Sequence, residues 1–291
     1  MKLYLFIFTA LVKLINLQAS FIEDKKYTNN FLTQSEHKTL HVVIPMAGDS
    51  TIFREAGYHE PKPLILLAGK KMIAWVVENV LPKRSIPNIK YFKFHFVLKK
   101  THLDAYNVEA LFKEIFPEID FTLHPVNSPT QGATCTVLLA KDEIDNNDPL
   151  IIVNADQFIE WNPDHFYNEL VNSKHDGIIL TFNQPNSKDE RWSFAKIDEN
   201  KLVVEVQEKK WISPYAAVGL YGWKKGSDFV KYAKEQIAKE QRVRNQFYLC
   251  PVYNEAILDK KKIGIEICHR MWSLGYPSDL EEFRLFLGKG F

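Results

Sequence analysis

Between His41 and Met72 the chain reads HVVIPMAGDSTIFREAGYHEPKPLILLAGKKM, and this stretch limits the fold more than any other. Val42, Val43 and Ile44 form a β-branched run with the composition of a short buried strand. Pro45, Met46, Ala47 and Gly48 then turn the chain into a small-residue loop that carries the hydroxyls of Ser50 and Thr51. Lys62 follows, held between Pro61 and Pro63, and an apolar run from Leu64 to Ala68 leads to Gly69. A strand, a tight loop and a cation on a stiffened segment together suit a nucleotide and its phosphates. Small residues let backbone N–H groups approach a ligand, and a lysine adds a point charge.

The rest of the chain alternates as α/β chains do. Strands are expected at His41–Ile44, Lys93–Leu98, Asp120–His124 and Pro149–Val153, with helices at Met72–Val80, Leu103–Ile115 and Ala133–Lys141. In the first of these helices Ile73, Val76, Val77 and Val80 share one face. The PLIIV run ending at Val153 has no polar residue, as in a central parallel strand buried on both faces. After Asp156, strands are expected at Gly177–Phe182, Ala216–Trp223 and Ile263–Cys268, and a hairpin joins Phe194–Ile197 to Leu202–Gln207. Helices are expected at Asp228–Lys239, Val252–Leu258 and Asp279–Leu287. One continuous sheet over residues 41–288 is expected, not two separable domains.

The opening stretch resembles the signature of the sugar nucleotidyltransferases, in the branch that reads roughly PMAGxGSRFxxxGYxxPKPLIxxxGKPMI. Pro45, Met46, Ala47, Gly48, Phe53, Gly57, Tyr58, Pro61, Lys62, Pro63, Leu64, Ile65, Gly69, Lys70, Met72 and Ile73 fall on that pattern. Three positions depart: Ser50 replaces the second glycine, Thr51 the serine and Ile52 the arginine. In this comparison the arginine grips the triphosphate, whereas an aliphatic side chain has no donor for phosphate. Further matches follow in order. Gln131-Gly132-Ala133 is similar to the family's base-selecting QGA step, and Asn154-Ala155-Asp156-Gln157 to its metal-binding NxDQ. Glu208-Lys209 is similar to the EK step that contacts the sugar phosphate. Asn245-Gln246-Phe247-Tyr248 with Pro251-Val252-Tyr253-Asn254 resembles NEFYxxPxYN, and Leu274–Leu280 resembles LGTPEDL. Gln246 stands where a glutamate is usual, and Ser273 where many relatives carry a second metal carboxylate.

The resemblance implies a nucleotide-diphospho-sugar transferase fold, a three-layer α/β/α Rossmann-like sandwich around a mixed sheet. It also implies attack of a phosphomonoester, such as a sugar 1-phosphate, on the α-phosphorus of a nucleoside triphosphate, with Mg²⁺ and loss of pyrophosphate. Lys62 and Asp156 are the implied catalytic pair, and Asp156 the implied metal ligand. Pro45 to Gly48 would lie against base and ribose, Gln131, Gly132 and Ala133 against the base, and Glu208 and Lys209 against the sugar phosphate.

The residues themselves point the same way. Flanking prolines restrict Lys62, which limits the entropy lost on meeting a phosphate. Asp156 follows an apolar strand, and the carboxyl ends of such strands are where open α/β sheets bind ligands. A carboxylate there is a hard oxygen donor suited to Mg²⁺. Gly132 opens a helix whose first N–H groups are free. The plainer readings are a solvated lysine in a turn, an aspartate that caps a helix, a plain strand-to-loop turn at Pro45–Gly48, and a surface charge run at Glu208-Lys209.

Composition excludes several partners. The 291 residues carry 37 basic and 36 acidic side chains, a net charge of +1, so no broad attraction to nucleic acid or anionic membrane is expected. Cys135, Cys250 and Cys268 lie far apart and read as buried thiols. None of the nine histidines shows a zinc spacing, and His95, His102 and His124 read as structural. Residues 1–20, with Lys2, an apolar run and Ala19-Ser20, read as a signal peptide or an apolar N-terminal helix, and residues 21–40 as a linker. The absence of an N-x-S/T acceptor and the need for triphosphates favour a cytoplasmic location over a secreted or luminal one. A homo-oligomer is left open.

Three functions fit. The first is a working nucleotidyltransferase. The second is a catalytically impaired nucleotide- or sugar-binding regulator, favoured by Ile52, Gln246 and Ser273. The third is a glycosyltransferase on the same fold, whose D-x-D metal motif has only Asn154-Ala155-Asp156 as a counterpart.

Overall fold

A computed structural model of the chain describes residues 38–288. The signal-peptide reading of residues 1–20 and the expected linker up to residue 37 lie outside the described residues. The last residues of that linker, from Lys38, belong instead to the first strand, β1 (Lys38–Pro45). Among the described residues no helix is long and apolar enough to cross a membrane.

β1 is the hub of a nine-stranded mixed sheet. It pairs in parallel with β4 (Ile89–Lys99) on one side and β6 (Leu150–Val153) on the other. β5 (Asp120–Val126) extends the β4 edge, also in parallel. On the far side β11 (Tyr215–Trp223) runs antiparallel to β6. Beyond β11 the sheet divides into β8 (Gly177–Asn183) with its parallel partner β12 (Ile263–Ile267), and the hairpin of β9 (Ser193–Ile197) and β10 (Val203–Glu208). Two short ladders lie apart from it: β2 (Leu66–Leu67) with β3 (Lys70–Lys71), and β7 (Gln157–Glu160) with β13 (Arg270–Ser273).

Alternation along the strands builds a core on each face of the sheet. Leu40, Val42 and Ile44 join Phe94 and Phe96 beneath the helix Met72–Val80 and Phe112 of the helix Val108–Ile115. Val43, Val97 and Ile152 face the other way, toward Phe229 and Tyr232 of the helix Gly226–Ala238 and Tyr253 of Val252–Leu258. These two layers of helices around a mixed sheet give the expected α/β/α architecture. A third, smaller cluster joins Phe53, Ile65, Leu67 and Met72 to Trp272, Leu280 and Phe283, and so seats the last helix, Pro277–Gly288.

Two expected helices are broken. Leu103–Ile115 is two helices, Lys100–Ala105 and Val108–Ile115, because Asn107 adopts a left-handed φ of 44° between them. Ala133–Lys141 is a short helix, Ala133–Val137, a 3₁₀ turn at Leu138–Ala140 and a final turn, Lys141–Ile144. The helix Pro163–Asn172 and the β7–β13 pair were not expected from sequence.

Candidate active site

The loop after β1 is tied down at both ends. The Met46 N–H donates to the Val97 carbonyl of β4 at 2.8 Å, so the chain leaves the sheet at its carboxyl edge. Ser50, in a left-handed conformation, opens the helix Thr51–Glu55, and its hydroxyl accepts the Lys62 backbone N–H at 3.0 Å. Pro61 caps a 3₁₀ turn, Lys62–Leu64, and Pro63 lies inside it, so the backbone on both sides of Lys62 is restricted. Its ammonium donates to Asp156 Oδ2 at 2.5 Å, across 94 positions of sequence. The Phe53 ring lies beneath it, 5.9 Å away.

Asp156 sits just past the end of β6, on a segment gripped by main chain. The Asn154 N–H and the Gln157 side-chain amide both donate to the Gly219 carbonyl, at 2.9 and 3.2 Å, and the Asp156 carbonyl accepts from Leu274 N–H at 2.8 Å. Gly219 has a φ of +87°, and a Cβ there would stand 2.3 Å from Asn154 Nδ2 and 2.5 Å from Gln157 Oε1. Only glycine permits that approach.

Asp156 borders two cavities. The smaller, of 230 Å³, is lined by Pro45, Met46, Gly48, Ser50, Lys62, Pro63 and Ala133. The larger, of 520 Å³, is lined by Glu208 and Lys209 at the end of β10, with Arg191, Arg244 and Tyr248. Asn154, Asp156 and Ala133 belong to both walls. Glu208 is buried against the Ser193 hydroxyl, which donates to it, and burial pushes its pKa up. Lys209 Nζ lies 3.5 Å from Glu208 Oε1 and 5.1 Å from the centre of the Tyr248 ring. Arg191 is aimed by a two-pronged pairing with Asp189, at 2.9 Å on each prong, and that pairing holds the Asp189 carboxyl down at about 2.

Other expected site residues support the cleft from outside it. Ala47 packs against the core face that holds Val43. Gly132 is pressed under the chain at Phe247, where an added Cβ would come within 2.4 Å of a carbonyl oxygen. Phe247 N–H donates to the Gln131 carbonyl at 2.9 Å, which ties the QGA and NQFY segments together. The Gln131 side-chain oxygen accepts from Arg242 at 2.6 Å, and Gln131 lines neither cavity. Ile52 is 47% exposed and outside both cavities. Gln246 is also outside them, paired with Val243 through main chain. Ser273 lines the larger cavity and donates to Asp279 Oδ2 at 2.5 Å. A Cβ on Gly275 would stand 3.6 Å from Asp156 Oδ2 and 4.0 Å from Asp279 Oδ2. Two carboxylates therefore border one small glycine-lined space. Asp279 Oδ2 also accepts the Tyr276 N–H at 3.1 Å.

Arg191 and Arg244 were missed in the sequence. Their only signal is the mixed charge run Lys188-Asp189-Glu190-Arg191 and the cation before Asn245, both of which look like solvated surface.

The sequence model of the nucleotidyl transferase family matches residues 42–286. Among solved structures, the nucleoside-diphosphate-sugar pyrophosphorylase from Vibrio cholerae RC9 is similar with a TM-score of 0.67 and 23% identity, over 84% of this chain and 99% of that one. The UDP-glucose pyrophosphorylase from Acinetobacter baumanii is similar with a TM-score of 0.65 and 15% identity, over 86% of this chain and 93% of that one. At these identities the likeness establishes the shared fold. No curated protein matches the chain.

Proposed function

The chain belongs to the nucleotidyl transferase family, and on that premise we propose that it moves a nucleoside monophosphate from a triphosphate onto a sugar 1-phosphate or a similar phosphate ester. A phosphate oxygen of the acceptor attacks the α-phosphorus, the new P–O bond forms, and the bond to the β-phosphate breaks to release pyrophosphate. The observation that carries this reading is the Lys62–Asp156 pair, with Lys62 in a small cavity and Asp156 on the wall that this cavity shares with a larger one. A two-substrate transfer needs its reacting phosphorus at such a border.

Each charged group has a defined task. The triphosphate enters beside Gly48 and Ser50, and Lys62 exchanges the Asp156 carboxylate for a phosphate oxygen. Lys209, Arg191 and Arg244 hold the acceptor phosphate in the larger cavity, its oxygen directed at the border. Asp156, with Asp279 beside it, would hold Mg²⁺, which keeps few protein ligands and binds through one or two carboxylates and substrate phosphates. The glycine-lined space at Gly275 fits that requirement. When bound, the ion neutralises charge on the phosphate oxygens. Use of free triphosphates favours a cytoplasmic location.

The test is pyrophosphate release by the full chain with Mg²⁺, across a panel of triphosphates and sugar 1-phosphates. Lys62→Ala and Asp156→Ala should each lower turnover by about a hundredfold or more. The exposed, donor-free Ile52 favours a second reading, a nucleotide-binding regulator. Nucleotide binding without pyrophosphate from any pair would select it. Consumption of a preformed nucleotide sugar, again without pyrophosphate, would select the glycosyltransferase.

A further inference from the structure

Three histidines step diagonally across adjacent parallel strands on the sheet face that carries Val43 and Val97. His41 of β1 stands opposite Lys93, His95 of β4 opposite Val43, and His124 of β5 opposite Val97, an advance of two residues per strand. Equal advance and equal parity put all three imidazoles on one face. His41 Nδ1 lies 2.9 Å from His95 Nε2, and His95 Nδ1 lies 3.2 Å from His124 Nε2. Glu143, from the turn of helix Lys141–Ile144, covers the row. Its Oε1 is 3.6 Å from His124 Nε2 and 3.9 Å from His95 Nδ1, while Lys93 holds its other oxygen at 2.5 Å. The ligand atoms of His95, His124 and Glu143 all lie within 4.8 Å of one another.

We infer that His95 Nδ1, His124 Nε2 and Glu143 Oε1 form a binding site for one zinc-class divalent cation, separate from the nucleotide cleft. Around a tetrahedral zinc with ordinary bond lengths, neighbouring ligand atoms stand about 3.3–3.4 Å apart. The three observed separations are close to one face of that tetrahedron. Two imidazole nitrogens with one carboxylate oxygen select zinc or another late first-row dication over Mg²⁺ or Ca²⁺. The supporting contacts are also present. A proton on His95 Nε2, donated to His41 Nδ1, leaves His95 Nδ1 free to ligate and fixes its ring. Lys93 turns Glu143 so that Oε1 faces the imidazoles, although its charge lowers the affinity for a cation. His95 is fully buried, but the side chains of His124 and Glu143 are 15% and 31% exposed, which gives the ion a way in from solvent. Sequence spacing hides the site because its ligands come from two strands and a helix, and adjoin only once the sheet forms.

The test is titration of chelator-treated full-length protein with zinc chloride alone by calorimetry, and with cobalt(II) by visible absorption. Wild type should bind one equivalent, and the cobalt form should show the intense bands of a tetrahedral centre. His124→Ala and Glu143→Gln should each weaken zinc about tenfold or more with an unchanged circular-dichroism spectrum. Asp156→Ala should bind zinc as wild type does. Wild type that takes up no stoichiometric zinc, or unchanged affinity in His124→Ala, would overturn the inference. Zinc lost in Asp156→Ala and kept in His124→Ala would place the cation in the cleft and also overturn it.

Discussion

The Glu208 carboxyl sits almost out of water, and its burial favours the protonated form. The folded chain holds this proton more tightly than the unfolded chain does. The stability it contributes is therefore fully present below about pH 4.3 and is lost as pH rises through the raised folded value. Glu208→Gln keeps an acceptor for Ser193 and removes the buried charge. Its urea midpoint should exceed that of the parent near about pH 8, and the gain should vanish below about pH 4. Parallel pH profiles for the two proteins would show that Lys209 already cancels the burial cost. At this scale part of the site was legible in the sequence. Lys62 and Asp156 each follow a local pattern, a proline bracket and the tip of an apolar strand, and the fold brings them into contact. Arg191 and Arg244 had no such pattern, because a cation in a mixed charge run looks the same whether it faces bulk water or a cavity.

Among the elements, legibility follows how local the determinants are. Met72–Val80, read from its periodicity, and the short helix Val252–Leu258 have the bounds expected from the sequence. The break at Asn107 depends on one residue in a left-handed turn, and a continuous apolar period hides it. The β7–β13 ladder joins segments more than a hundred residues apart, with Arg270 facing Glu160, so neither strand announces the other. The unexpected helix Pro163–Asn172 did carry a start signal. Asn162 accepts the His165 N–H at 3.2 Å, and Pro163 occupies the first turn. Asn162→Ala should destabilise the protein by about 1 kcal/mol in chemical denaturation, with Asn162→Asp close to the parent. Equal losses in both variants would mean that the side-chain cap contributes nothing there.

Across the whole molecule, the third apolar cluster links the two ends of the described chain. Phe283, fully buried in the last helix, meets the Trp75 ring edge-on at 5.6 Å and the Phe158 ring at 5.1 Å. The same cluster holds Phe53 and Ile65, which flank the Lys62 turn. Phe283→Ala should cost about 3–5 kcal/mol. Hydrogen exchange should quicken together in Pro277–Gly288 and in residues 51–65, whereas a change confined to the last helix would show that the cluster does not couple them. The β8–β11 register is interrupted between Ala217 and Tyr221, and the freed peptide at Gly219 meets Asn154 and Gln157 beneath the larger cavity. Any side chain at Gly219 would drive its Cβ into Asn154 and Gln157, so the depth of that hollow is tied to the glycine. Arg191 and Arg244 line the same cavity from outside the strands, so their exchange alters its wall without touching a ladder of the sheet.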